Sequence, residues 1–221
     1  MNRVPGPACQ SSPGGVDGRA VEARLGTTSP SRTTARRALR RARILEQTLA
    51  TTSAGHGANL RLIAQGAGVA VGTLYRHFPS KEHLLVAALG RWLEDLEQRI
   101  GPDLCSIGDP YRRLRYLVEE LCEAFSRAPQ LANAMMRAYV VADAAVAVEV
   151  ETVRSQFVDL FADALDQNSP TESYFDVGEL LTDVLASNLL ALTQGRAQMS
   201  DVHRRLLQMV ELLANRRDTV V

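Results

Sequence analysis

Arg32, Arg36, Arg37, Arg40, Arg41, Arg43, Arg61, Arg76 and Lys81 fall in a window, residues 32–81, that holds a single acid, Glu46. Nine cations against one anion make that window +8. The residues before it are +1 and residues 82–221 carry −9, so the whole chain is formally neutral. A cationic block ahead of an acidic body suits contact with a polyanion by one part of the molecule only. Within the block, residues 59–81 carry side chains suited to duplex DNA. Arg61 and Arg76 can pair with base edges, Val71 can meet a thymine methyl, and Thr73 can reach a base or a phosphate. Gly72 permits close approach to a groove, and Tyr75, His77 and Lys81 can donate to phosphate oxygens. Arg41 and Asn59 complete the candidate DNA contacts. Lys81 also adds its charge to the positive end of the helix it begins.

These side chains need short helices to hold them. Leu39, Ile44, Leu45 and Leu49 form an apolar stripe on a helix that starts between Ser31 and Thr34 and stops before Gly55. Asn59 is a suitable N-cap for a second helix, Leu60 to Gly66. Gly68 allows a tight turn, and a third helix runs from Val71 to Phe78, ended by Pro79-Ser80. Ala64 and Gly68 suit a helix crossing and turn, with Val69, Leu74 and Phe78 as anchors behind. That is the pattern of a helix-turn-helix.

The rest of the chain continues the helical period. Helices are expected from Lys81 to about Ile100, Asp109 to Ser126, Gln130 to Arg137, Ala142 to Asp166, Thr171 to Gln194 and Ser200 to Arg216. No segment alternates as a strand does. The expected fold is all-α, with about nine helices. A Pro-, Gly- and Ser-rich disordered tail (1–30) precedes a DNA-binding domain (31–80) and a ligand-binding and dimerisation domain (81–221).

The run from Gly68 to Glu82, Gly-Val-x-x-Gly-Thr-Leu-Tyr-x-His-Phe-Pro-Ser-Lys-Glu, resembles the signature of the TetR family of bacterial repressors. The resemblance implies a DNA-binding head of three helices and a helical body that dimerises and binds a small molecule. Ala70 and Val71 depart from it, because many members have a hydroxyl and then a basic residue there. Within the family, residues 69–81, 83–90, 134–144 and 183–191 resemble repressors of cholesterol catabolism in actinobacteria. That resemblance implies control of sterol-degradation genes, relieved by a steroid acyl-CoA.

An effector pocket between helices should be mostly apolar. Phe125, Met135, Met136, Tyr139, Phe157, Phe161, Leu185, Asn188 and Leu189 are the candidates, with ordinary core packing as the competing explanation for each. Asn188 needs a partner among leucines, either a ligand carbonyl or a backbone group. Residues 180–192 are apolar on more than one face, which favours a homodimer reading a palindromic operator. A fatty acyl-CoA, a drug or another hydrophobic molecule would serve equally as effector, and a fully packed body would need none.

No catalytic residue, cofactor or metal site is expected. None of the four histidines follows a glutamate by three positions, and there is no Gly-x-Ser-x-Gly elbow or P-loop. Cys9, Cys105 and Cys122 lack zinc-site spacing and suggest reduced thiols. Without an apolar run of membrane-spanning length or a secretory signal, the expected location is the cytoplasm.

Overall fold

The computed structural model describes residues 32–166 and 171–217. The expected tail and the Ser169-Pro170 break lie outside them. Among the described residues there are nine α-helices and no strand. They are α1 (Arg32–Thr51), α2 (Leu60–Gly66), α3 (Val71–His77), α4 (Lys81–Ser106), α5 (Pro110–Arg127), α6 (Pro129–Val140), α7 (Ala147–Leu165), α8 (Glu172–Thr193) and α9 (Met199–Arg217). The all-α expectation holds.

Local chemistry sets several of the ends. Ser80 accepts from the His83 amide at 3.2 Å and Asp109 from the Arg112 amide at 2.8 Å, each satisfying a free donor at a helix start. α1 passes into one π-turn, Thr52–His56, where Gly55 takes φ 86°. Three boundaries differ clearly from expectation, the first being α6, which continues past Arg137 to Val140. α4 runs through Pro102 to Ser106 rather than ending near Ile100. Ile100 and Leu104 are buried and Gln98, whose carbonyl loses its partner at Pro102, is exposed to water. The seventh helix begins at Ala147 rather than Ala142, because Asp143 instead caps a 3₁₀ turn, Ala144–Val146, accepting from the Ala145 amide at 2.9 Å.

One core joins head and body. Ile44, Ile63, Leu74 and Phe78 belong to the same buried cluster as Leu84, Leu89, Leu117, Phe157, Phe161 and Leu185. α4 links the two regions, packing on α1 at one end and on α5, α6 and α7 along its length. α5 sits against α4, α6, α7 and α9. Its Arg113 donates to the carbonyls of Ala164 and Leu165, at 2.7 and 2.8 Å, and to those of Ile107 and Gly108. One guanidinium therefore ties the C-terminus of α7 to the α4–α5 loop. α7 and α8 pack so closely at Gly178 that an added Cβ would lie 2.6 Å from the Val158 carbonyl oxygen. No single helix among the described residues is long and apolar enough to cross a membrane.

Candidate nucleic-acid interface and effector core

The interface begins with the turn between α2 and α3. Asn59 caps α2, its side-chain oxygen accepting from the Arg61 and Leu62 amides at 3.1 and 3.3 Å. At the other end Gly68, at φ 67°, lets the Gly68 amide bond Gln65 O and the Val69 amide bond Ala64 O. This pair of bonds closes a helix through a left-handed residue, a conformation that glycine adopts without a Cβ penalty. The chain then enters α3 through Ala70, which offers no side-chain cap, so the hydroxyl absent from the sequence is absent from the geometry too.

Leu74 and Phe78 fix the inner side of α3; both are fully buried. Val71, Gly72, Tyr75 and Arg76 are exposed, and Thr73 and His77 half-buried. Arg41, Asn59, Arg61 and Lys81 are exposed as well. Arg76 donates to the Thr73 hydroxyl at 2.8 Å, which holds the guanidinium along the outer face of α3. The Arg41 guanidinium lies over the Phe78 ring, 5.1 Å from its centre, a cation–π contact that binds α1 to the end of α3. Burial lowers the pKa of His77 below its usual value, and the charges of Arg37, Arg40, Arg41 and Arg76 lower it further. His77 is therefore neutral near pH 7, a hydrogen-bond donor inside a ring of cations. Sequence reasoning missed Arg37 and Arg40 as its neighbours; their spacing before Arg41, one α-turn apart, was the available signal.

The nine effector candidates all lie in the body's interior. Tyr139 meets Phe157 edge-on, with ring centres 6.4 Å apart, and Phe125 stacks on Trp92 at 4.5 Å. Asn188 is satisfied within the protein: its amide donates to Val184 O, and its oxygen accepts from Arg205 of α9, both at 2.7 Å. The backbone explanation thus accounts for one half of this side chain, and Arg205, which the sequence reading did not pair with it, for the other. None of the nine lines the cleft of about 400 Å³ that opens between α1, α4 and α7. Arg41, Leu45, Gly90, Val148 and Gln156 lie along that cleft. At the same junction His83, buried in α4, meets Ser80 Oγ at 3.0 Å and the Glu149 carboxylate of α7 at 4.0 Å.

Burial pushes the Cys122 thiol up to about 12, which removes it as a nucleophile.

Residues 54–88 match the family model for bacterial regulatory proteins of the tetR family, and residues 108–213 that for the tetracyclin repressor-like C-terminal domain. The chain is 45% identical over 176 residues to the HTH-type transcriptional repressor KstR of Mycolicibacterium smegmatis, covering 79% of this chain and 86% of the relative. It is 42% identical over 182 residues to KstR of Mycobacterium tuberculosis, covering 81% and 83%. Among solved structures, a TetR transcriptional regulator from Rhodococcus sp. RHA1 aligns with a TM-score of 0.68 at 25% identity, over 80% of this chain and 97% of that one. Thermus thermophilus FadR, solved with lauroyl-CoA, aligns at 0.60 and 22% identity over 77% and 92%, a likeness of fold.

Proposed function

Because the chain belongs to the TetR family of bacterial transcriptional regulators, we propose that it represses genes of sterol catabolism as a homodimer and leaves its operator when a steroid acyl-CoA binds. The observation that carries the DNA-binding part is the outer face of α3. Val71, Gly72, Tyr75 and Arg76 stand exposed on a helix anchored from behind by Leu74 and Phe78. In this reading α3 enters the major groove, Arg76 and Val71 meet base edges, and Thr73, Tyr75 and His77 meet phosphates. Arg61, Asn59, Arg41 and Lys81 contact the backbone on either side. Residues 31–80 act as the head and residues 81–221 as the body.

Exposed Leu180 and Leu190 on α8 and Leu212 on α9 favour a symmetric partner against these helices. Two heads then read half-sites about 34 Å apart, or a multiple of that. The identity of 42–45% to KstR repressors across four-fifths of the chain favours a sterol pathway. The effector would occupy the body among Phe125, Met135, Met136, Tyr139, Phe157, Phe161, Leu185 and Leu189. Asn188 drops out of that set because its two polar ends are already engaged. A ligand acts only through its different affinity for the DNA-bound and free arrangements of the heads.

A gel shift on the gene's own promoter fragment, with a steroid acyl-CoA and with a fatty acyl-CoA, tests this. Release by the steroid thioester alone supports the proposal. Release by the fatty acyl-CoA alone keeps the regulator and replaces the effector. Absence of any shift at low salt removes the DNA-binding reading.

A further inference from the structure

The N-terminal half of α1 buries little against the other described residues. Residues 33–41 are all exposed, and the first buried residue of the helix is Ile44. Packing therefore does not hold this half-helix; its Ala, Arg and Leu content does. Arg36 and Arg40, and Arg37 and Arg41, are like charges four residues apart, an arrangement that opposes the helix. No ion pair relieves Arg36, Arg37 or Arg40 among the described residues. The arginines of the body are treated differently. Arg91, Arg115, Arg127, Arg154 and Arg204 each lie within 4.0 Å of a carboxylate. Carboxylates thus neutralise these five body arginines, and none neutralises the three on the overhang among the described residues.

The overhang is also placed at the interface. Arg37 lies one turn before Arg41 on α1 and Arg40 lies next to it, and the Arg41 guanidinium sits 5.1 Å from the centre of the Phe78 ring, just past the C-terminal end of α3. A helix inserted in the major groove has phosphates on both flanks. Resting on the DNA-binding reading above, we infer that Arg37 and Arg40 form a second contact surface, which grips the DNA backbone beside the groove read by α3. The surface adds affinity and register without sequence preference, because phosphate contacts carry no base information. It also relieves the repulsion that the free half-helix bears.

The test is the salt dependence of binding for the full-length protein, measured on operator and on unrelated duplex DNA. Each lost phosphate contact reduces the slope of log K against log salt by about 0.9. In a dimer, R37Q/R40Q removes four contacts, so the slope should fall by about 3.6. Between 50 and 200 mM salt the variant should then lose about 100-fold less affinity than the wild type. R37K/R40K should keep most of the slope. R112Q/R137Q, which removes two exposed charges from the body, should leave it unchanged, and melting curves should show every variant folded. A wild-type slope in R37Q/R40Q overturns this inference alone. A reduction on operator but not on unrelated DNA overturns it too, because the two arginines would then be reading bases. Wild-type protein that binds neither DNA overturns the regulator reading first and this inference with it.

Discussion

α2 and α3 have seven residues each, whereas α4, α7 and α8 have 26, 19 and 22. A seven-residue helix is unstable by itself in water, so the head depends on a few anchors, chiefly Ile63, Ala64, Leu74 and Phe78. The body spreads its burial over many more side chains, with Phe125, Phe157, Phe161, Leu114 and Leu117 all fully enclosed. The contrast extends to charge: five arginines of the body lie against carboxylates, whereas Arg36, Arg37 and Arg40 of the head have no such partner among the described residues. A repressor needs both conditions, a head whose surface waits for DNA and a body whose own interactions are complete enough to pass a shift along. The difference teaches that the two regions should fail differently, and each prediction below tries to break that claim or sharpen it.

The largest effect is expected from Leu74→Ala. Truncating a fully buried leucine costs about 2–5 kcal/mol, and α3 contains no other buried residue. Operator binding should vanish while the body keeps its melting transition, as read by circular dichroism beside a gel shift. If one transition covers the whole chain and shifts as a unit, head and body unfold together and the contrast is wrong.

Two glycines give the next test. At Gly178 an added Cβ meets the Val158 backbone oxygen at 2.6 Å, and backbone cannot swing aside. At Gly66 the obstruction is the Gln47 side-chain oxygen, the free end of a flexible chain. Gly178→Ala should cost about 1–3 kcal/mol by overpacking α7 on α8. Gly66→Ala should stay within about 0.5 kcal/mol of neutral, since the gain in helix propensity offsets a rotamer change. Chemical denaturation of both variants decides it. Equal losses would mean that the α1–α2 contact is as rigid as the α7–α8 contact.

The sequence made the head more legible than the body for the same physical reason. Short-range chemistry governs the head: Asn59 as a cap, Gly68 at positive φ, Pro79 as a stop. Each acts within a few residues of its position in the chain. The order of nine helices was also readable, because apolar periodicity is local. What escaped depended on distant groups. Pro102 marks a helix end only until Leu104 is known to be buried. Asn188 is ambiguous until Arg205, seventeen residues later, is found beside it. The cleft between α1, α4 and α7 joins residues from Ala38 to Gln156, and no periodicity reports such a space. Arg37 and Arg40 looked like any solvated face until their position around His77 was known.

The Asn188–Arg205 contact sharpens the comparison at lower energy. It is a polar pin between α8 and α9, the helices assigned to the dimer. A double-mutant cycle with Asn188→Ala and Arg205→Ala should give a coupling of about 1 kcal/mol, below the roughly 1.5–3 kcal/mol of a hydrogen bond to a buried charged group because Arg205 is exposed. Arg205 is exposed along much of its length, so the cost of leaving it alone is limited by water. Coupling near zero would make the pair incidental to the packing of α8 on α9.

The smallest effect, and the one that separates fold from function most cleanly, concerns His77. Burial and four arginines hold its pKa below the usual value of about 6.5. Between the folded and unfolded pKa values the unfolded chain binds more protons. The contribution of His77 to stability is therefore complete above about pH 6.5 and declines as pH falls below it. DNA phosphates would reverse the local field and favour the imidazolium, so complex formation should take up a proton. Operator affinity should then rise as pH falls from about 7 to 5.5, by less than tenfold, in a titration by fluorescence anisotropy. His77→Asn keeps a neutral donor and should flatten that rise. Stability falling while affinity rises over one pH window is the behaviour of a group whose partner is DNA and not the fold. If the His77→Asn profile overlays the wild type, no phosphate lies within reach of the imidazole, and the phosphate contacts on this side of α3 reduce to its arginine neighbours.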